Sequence, residues 1–590
     1  MAKRIAVIDR TLCKPEKCKY QCIKVCPKNR SGEECIVVGE DKFPVISEEI
    51  CIGCGLCIKA CDKAGFKAIS IVNLPQELKE NPIHRFGPNQ FTLYRLPYPT
   101  LNEVVGIIGS NGTGKTTALN ILSGELKPNL GIFGKETDFS ELIKIFRGTE
   151  LQAYFEKLKD QKIKTSIKPQ RIDQIPFLYK GKISKLLEKT DERKILNEIL
   201  KSFQLEEIIN KKINEISGGE LQRVAIAACI AKDADIYYLD EPTSFLDVFQ
   251  RLAIAKAIRK FCENKSVMIV DHDLATLDFL ADRIHIFYGF PSAYGIVSKP
   301  YGVRVGINTF LDGYIKEDNV RIRSEPITFF TTLIEKKVSL EKLISFKNLV
   351  KKFKKFELKI NSGEIKRREV LACLGANALG KTTFAKILSG EIKQDKGEIK
   401  GEIKISYKPQ YIQTDFKGNV KELLLKVADV ESDSYRTEII EPLEIDRLLE
   451  KNIQDLSGGE LQRVFIVFCL SQQADLYLLD EPSAFLDVEQ RLEVAKLINK
   501  IIEQREKSAL IIDHDLLFLS KVGGRAMVFL GSPGKKGFAE IFSIKKAFNS
   551  FLKEVGVTFR QDKSTGRPRA NKPDSKLDRE QKEKEEYYYI

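Results

Sequence analysis

The sequence predicts an α/β protein with two similar domains in tandem, each built on a mainly parallel sheet, behind a small cysteine-rich α+β domain. Three observations predict this. Nine of the thirteen cysteines fall before residue 62. A set of motifs recurs in the same order at an offset of 240 residues, as in 457 − 217 and 480 − 240. At 590 residues the chain is also too long for one hydrophobic core.

Composition narrows the class. Apolar residues make up 43% and charged residues 30%, ordinary for a globular protein, and disorder is not favoured for the bulk of the chain. The formal net charge of +14 suits a polyanionic partner such as RNA and equally a solvated basic surface. The abundance of Lys, Ile and Glu fits a hot habitat or an AT-rich genome. The start, MAKRIAVIDRTLCK, has no apolar leader core, and no run of about 18 apolar residues occurs, so a cytoplasmic protein without a membrane span is expected.

The cysteine-rich domain is the first element. Cys51, Cys54, Cys57 and Cys61 have the C-x2-C-x2-C-x3-C spacing of a bacterial ferredoxin half. In that pattern three thiolates wrap one cluster and the fourth serves the other. Cys51, Cys54, Cys57 and Cys26 are therefore assigned to one [4Fe–4S] cluster, and Cys13, Cys18, Cys22 and Cys61 to a second. Tetrahedral zinc is the minor alternative. Pro27 follows Cys26, whereas Asp62 stands at the corresponding place after Cys61. Cys35 lies outside both patterns and reads as an ordinary thiol.

The repeat comes next. ISGGELQRV at 216–224 returns as LSGGELQRV at 456–464, YYLDEPTSFLDV at 237–248 as YLLDEPSAFLDV at 477–488, and IKPQ at 167–170 as YKPQ at 407–410. Each copy opens on a phosphate loop after an apolar run. The first is Gly109-Ser110-Asn111-Gly112-Thr113-Gly114-Lys115-Thr116-Thr117, and the second is Gly375-Ala376-Asn377-Ala378-Leu379-Gly380-Lys381-Thr382-Thr383. Glycines let backbone N–H groups face phosphate at a helix start. Lys115 and Lys381 would reach the β- and γ-phosphates, with the Thr116 and Thr382 hydroxyls on Mg²⁺. Ala378 replaces Gly112, which matters if φ there is positive.

Asp240 and Asp480 end apolar strands and are expected to hold Mg²⁺. Glu241 and Glu481 follow, placed to accept or orient the proton of the attacking water. His272 and His514 recur in VDHD and IDHD, and recurrence favours a γ-phosphate contact over a structural role. His84 and His285 are taken as structural. Gln170 and Gln410 are expected at Mg²⁺ or the water. Tyr94 is a candidate to stack on adenine. The run KKFKKFELKI at 351–360 reads as an edge strand first and an RNA contact second.

Together the SGGEL-Q motif, the phosphate loop, DEP and the switch histidine resemble the ABC ATPase family. The resemblance implies that Ser217, Gly218, Gly219 and Glu220 face the nucleotide of Lys381. It implies likewise that Ser457, Gly458, Gly459 and Glu460 face that of Lys115, with Asp247 and Asp487 crossing the seam. The whole chain resembles one branch, subfamily E, the ribosome-splitting ATPase also called RNase L inhibitor, in an archaeal-like form. FRGTELQAYF at 146–155 resembles that branch's inserted helix–loop–helix, and 294–315 and 557–589 its two hinge segments. Asp62, Ala376, Ala378 and Gly523-Gly524 depart from its usual pattern.

The expected boundaries are 1–82 for the ferredoxin-like domain and 83–300 for the first ATPase domain, with an insertion near 135–160. A hinge at 301–325, a second ATPase domain at 326–535 and a C-terminal hinge at 536–590 follow. The resemblance implies ATP-driven splitting of ribosomes after termination or stalling, by a monomer whose two ATPase domains pair, which then stays on the small subunit toward initiation. Implied partners are small-subunit rRNA, release factor, a Pelota-type factor and initiation factors. The competing reading is an ATP-gated redox or cluster-assembly factor, and a third is an importer's ATPase subunit.

Overall fold

The computed structural model describes residues 4–10, 12–73, 80–132, 138–323, 325–329, 341–412 and 416–589. By contact the chain divides into two units, residues 1–245 with 253–327, and residues 246–252 with 328–590. The beginning of the expected insertion (135–137), residue 324 of the first hinge, and 330–340 and 413–415 of the second ATPase domain lie outside the described residues.

In the first unit the cysteine-rich segment forms two small antiparallel sheets, Arg4–Ile8 with Ile69–Asn73 and Ile36–Val38 with Pro44–Ile46. Its helices are short, the longest being Leu56–Lys63. Cys13, Cys22, Cys26, Cys35 and Cys57 are buried among Ala6, Ile8, Ile36, Ile46, Ala68 and Ile69. So small an apolar core needs a staple. Asn89, buried and at φ +54, ties this segment to the following sheet. Its Nδ2 donates to the carbonyls of Ala6 and Ile46, and its Oδ1 accepts from Ile46 N–H.

That sheet has nine strands. Five run parallel in the order Arg283–Phe290, Val104–Gly109, Ser266–Val270, Ile236–Asp240, Thr165–Lys168. The middle three are buried at every position, as strands covered on both faces must be, and this explains their unbroken apolar runs. The helices Phe139–Ile145 and Glu150–Lys159 pack Leu142, Leu151, Tyr154 and Phe155 into the same core. Phe139 and Phe146 both stack on Phe155, and the turn between the helices uses Gly148 at φ +80.

The second unit repeats the parallel order with Arg525–Ser532, Val370–Gly375, Ser508–Ile512, Leu476–Asp480 and Ile405–Lys408. Its sheet also has nine strands and continues through Lys536–Ser543, Glu357–Lys366 and Lys342–Lys352 to Lys396–Lys400. The edge strand expected over 351–360 is therefore corrected. A strand ends at Lys352, the chain turns through Phe353 to Phe356, and the next strand begins at Glu357. The edge belongs to Lys396–Lys400, which carries three lysines or glutamates in five residues and so resists further pairing.

Candidate functional site

The site of each unit lies where its parallel strands end, the place at which open α/β sheets bind ligands. In the first unit the chain leaves Val104–Gly109, turns, and enters the helix Lys115–Ser123 with Gly114 as N-cap. Gly109 is required by close approach, since a Cβ there would lie 2.3 Å from the Phe287 carbonyl oxygen. Lys115 Nζ folds back to donate to the carbonyls of Gly109 and Ser110 at 2.8 and 2.9 Å. In the second unit Lys381 Nζ does the same to Gly375 and Ala376 at 2.8 and 2.7 Å. Thr116, Thr117, Thr382 and Thr383 follow on the first turns of these helices.

Asp240 and Asp480 stand at the ends of the neighbouring strands, buried, with both carboxylate oxygens of each lacking a hydrogen-bond partner. Burial pushes Asp240 up to about 6, partly opposed by the nearby Thr116 hydroxyl, and raises Asp480 likewise beside Thr382. An orphaned, dehydrated carboxylate beside a hydroxyl is what a hard divalent cation would complete. The donor set therefore fits Mg²⁺.

The next residue carries the acid. Glu241 and Glu481 both have left-handed backbones, φ +46 and +47. Glu241 Oε1 accepts from Gln170 Nε2 at 2.7 Å and lies 3.7 Å from His272 Nε2. For Glu481, Gln410 and His514 the distances are 2.7 and 3.6 Å. Burial, reinforced by Asp480 and Asp513, pushes Glu481 up to about 7. Each histidine stands between two aspartates in the chain. Asp271 accepts from the Thr243 hydroxyl and Asp273 caps the helix Leu274–Leu280. Asp513 accepts from Ser483 and Asp515 caps Leu516–Val522 in the same way.

Three kinds of residue here escaped sequence reasoning. Lys168 and Lys408 are fully buried and reach the carbonyls of the Asp-Glu pairs, and burial pushes both ammonium groups down to about 8. Gln222 and Gln462 donate to the carbonyls of Glu241 and Glu481. Thr243 and Ser483 pin the following loop. The signal for all of them was recurrence in both copies, as in IKPQ and YKPQ.

Tyr94 is corrected. It is 2% exposed within its strand, with burial pushing its hydroxyl up to about 12, and it offers no free face to a base. The aromatic beside the first loop is Phe91, against Gly114, with Phe86 next to it and half exposed. Phe356 and Phe353 hold the matching places beside Gly380.

Ser217 and Ser457 N-cap helices of fourteen residues in reciprocal capping boxes, with Glu220 and Glu460 accepting from the serine N–H at 2.8 and 2.9 Å. Gly218, Gly219, Gly458 and Gly459 form the first turns, so their N–H groups stand at a helix start. Asp247 and Asp487 accept from the N–H groups of Gln250 and Gln490. Within the second unit, to which 246–252 belong, Asp247 Oδ2 also accepts from Asn377 N–H at 2.8 Å.

In the cysteine-rich segment Cys13, Cys18, Cys22 and Cys61 line one cavity with Tyr20, Pro44, Phe66 and Ile69. Burial pushes Cys13 up to about 11, with Cys61 and Cys18 adding to it. Cys57 is pushed up to about 12 by burial, then by Cys51 and Cys54. Cys35 rises to about 12 by burial, with Cys26 and Cys51 alongside.

A phosphate loop facing a strand-end carboxylate, with its histidine and capped serine loop, makes each sheet an ATP-binding cassette, and this chain carries two. The family profile described as "ABC transporter" matches residues 100–244 and 358–484, and that described as "Possible Fer4-like domain in RNase L inhibitor, RLI" matches residues 4–34. An uncharacterized ABC transporter ATP-binding protein of Methanocaldococcus jannaschii is 50% identical over 100% of this chain and 98% of its own. ABC transporter E family member 1 of Arabidopsis thaliana is 43% identical over 100% of this chain and 99% of its own. Among solved structures, an archaeal ribosome recycling factor, aABCE1, in complex with the ribosomal stalk protein aP1 is 50% identical. It covers 87% of this chain and 100% of its own at a TM-score of 0.84. "Model of ribosome-bound archaeal Pelota and ABCE1" is 48% identical over all of both chains, with a TM-score of 0.92. The chain belongs to the E family of ABC ATPases. It is an ATPase with an N-terminal iron–sulfur domain, and no helix among the described residues is long and apolar enough to cross a membrane.

Proposed function

We propose that this chain is an ATP-driven ribosome recycling factor, splitting ribosomes into subunits after termination or stalling and staying on the small subunit toward initiation. One observation carries the reading. Similarity to a ribosome-bound relative extends over all of both chains, cysteine-rich segment and C-terminal segment included, which the ATPase chemistry alone would not require. Its partners are then the small subunit with its rRNA, release factor, a Pelota-type factor and initiation factors, in the cytoplasm.

Glu241 and Glu481 take or orient the proton of the attacking water, and His272 and His514 face the γ-phosphate. Lys115 and Lys381 leave their loop carbonyls for phosphate, cradled by the N–H groups of 109–117 and 375–383. Thr116, Gln170 and Asp240, and Thr382, Gln410 and Asp480, hold Mg²⁺, which when bound offsets phosphate charge. The Ser-Gly-Gly-Glu loops supply further anion-facing N–H groups, and Phe86 and Phe353 supply faces for the base. Nucleotide does work only through its differential affinity for the two states of the machine.

Cys13, Cys18, Cys22 and Cys61 hold one [4Fe–4S] cluster, and Cys26, Cys51, Cys54 and Cys57 the other. The shared cavity of the first set supports this. Its fourth member, Cys61, comes from the second motif, the crossing that two-cluster ferredoxin spacing calls for. On this reading residues 1–82 are the cluster domain, 83–300 and 326–535 the cassettes, and 301–325 and 536–590 the hinges.

The test is sedimentation of ribosomes with the purified protein, a release or Pelota-type factor and a non-hydrolysable ATP analogue. The expected result is free subunits with the protein on the small one, lost on replacing Lys115 or Cys57. Intact ribosomes with no comigrating protein, while clusters and nucleotide are bound, would sink the reading and bring the redox or assembly role forward.

A further inference from the structure

Each cassette buries an ammonium group that the chemistry above does not use. Lys168 and Lys408 are 1% exposed, each the last residue of a parallel strand, in IKPQ and YKPQ. Desolvating an ammonium group is unfavourable, and a well-packed apolar side chain would commonly do as well for stability. A role in placement explains why both copies keep the charge.

What the two lysines touch is specific. Lys168 Nζ donates to the Asp240 carbonyl at 2.7 Å and lies 3.3 Å from that of Glu241. Lys408 meets the carbonyls of Asp480 and Glu481 at 2.8 and 3.3 Å. The same glutamate carbonyls accept from Gln222 and Gln462, and the glutamate N–H groups donate to Val270 and Ile512. Every peptide group around each glutamate is thus tied down. The backbone here is unfavourable, because a glutamate at φ near +46 persists only if its surroundings over-determine it. Released, it would relax to an ordinary backbone and swing its carboxylate away from Gln170 and His272.

We propose that Lys168 and Lys408 are positioning residues which, by holding the carbonyls of the Asp-Glu pair, lock the glutamate in its left-handed conformation and so aim its carboxylate at the attacking water. The inference rests on the glutamates having that role. The ammonium groups are taken up by backbone carbonyls, so their effect passes through the glutamates.

The experiment is a cycle in the full chain, comparing the parent, Lys168→Met with Lys408→Met, Glu241→Gln with Glu481→Gln, and all four together. Steady-state ATP turnover is read along with binding of a fluorescent ATP analogue and thermal unfolding. The lysine pair should lower kcat by up to about 10²-fold, as ångström-scale misplacement can, with KM and nucleotide affinity within about threefold of the parent. On top of the glutamine pair it should lower turnover no further, because the group it aims is already disabled. A merely structural lysine would lower the unfolding midpoint and multiply its effect onto the glutamine pair, and that additivity would overturn the inference. Glutamine variants that turn over at the parental rate would instead sink the role of the glutamates, whatever the lysines do. Gln222→Met with Gln462→Met removes the other donor to the same carbonyls and should give the same kcat-only loss. If the lysine variants do not fold and this second pair turns over normally, the inference fails.

Discussion

The two cassettes hold nearly superimposable chemistry in front of different cores. Glutamine and glutamate meet at 2.7 Å in both, histidine and glutamate at 3.7 and 3.6 Å, and lysine and strand-end carbonyl at 2.7 and 2.8 Å. Behind that face the first unit places polar groups where the second has apolar ones. Tyr238 meets Tyr154 of the inserted helix at 2.7 Å, while the repeat puts Leu478 at the matching position. His285 is matched by Met527, each the third residue of a strand pairing with the phosphate-loop strand. Thr113 pins its phosphate loop by donating to the Ser110 carbonyl at 2.8 Å, and Leu379 pins the other by burial in the second core. Geometry at the reacting atoms is thus held constant while the means of holding it vary.

The largest effect should test the constant part. Lys115→Ala and Lys381→Ala each remove a cation that changes from loop carbonyls to phosphate. Each should weaken ATP at its own loop on the order of 10²-fold, about 3 kcal/mol for two charge-assisted hydrogen bonds. Binding of a fluorescent analogue to each single variant reads this out. Losses differing by more than about tenfold between the loops would break the equivalence.

A second prediction tests the cores. His285 is buried, its Nδ1 2.9 Å from the Ser298 carbonyl oxygen and its ring edge-on to Tyr98, and burial pushes its pKa down to about 4. In the unfolded chain a histidine takes up a proton near pH 6.5. The folded state therefore binds that proton less well. Its contribution to stability is complete above pH 6.5 and is lost as the pH falls through about 4, up to about 3 kcal/mol. His285→Met should flatten the acid slope of the first unit's unfolding midpoint between pH 6.5 and 4.5. Met527→His should introduce such a slope into the second. An unchanged slope in both variants would remove buried histidine as the difference between the cores.

The repeat is what made the sequence legible. Both phosphate loops, both strand-end aspartates and both histidines could be read because they recur in the same order in both copies, and the unbroken apolar runs before them marked fully covered parallel strands. The lysines of IKPQ and YKPQ were visible as repeats, but their purpose was not, because the carbonyls they reach lie 72 and 73 residues away. Tyr94 looked like a base-stacking residue by its place before the first loop, yet its strand lies inside the sheet and buries it. KKFKKFELKI alternates well enough for one strand, but Phe353 and Phe356 mark a hairpin turn there. In each case the missing information was the register between strands far apart in sequence, which periodicity along one strand does not carry.

The smallest effect concerns the loops themselves. Gly112 has φ +76, and its counterpart Ala378 is held at φ +59, where a side chain is disfavoured by about 1–2 kcal/mol. Glycine would remove that strain but lose about 0.5–1 kcal/mol more backbone entropy on folding, so Ala378→Gly should stabilise the second unit by at most about 1 kcal/mol. The reverse change is not its mirror image. A Cβ on Gly112 would lie 3.1 Å from Ser292 N, so Gly112→Ala adds a tight contact to the backbone strain and should cost about 1–2 kcal/mol. Backbone strain at Ala378 also opposes the conformation that cradles phosphate. Ala378→Gly should therefore tighten ATP at the second loop by less than about fivefold, through preorganisation alone. Equal affinity before and after, with the unfolding midpoint raised, would mean that nucleotide meets the second loop already locked by Leu379, and that the alanine is a cost to folding which binding never sees.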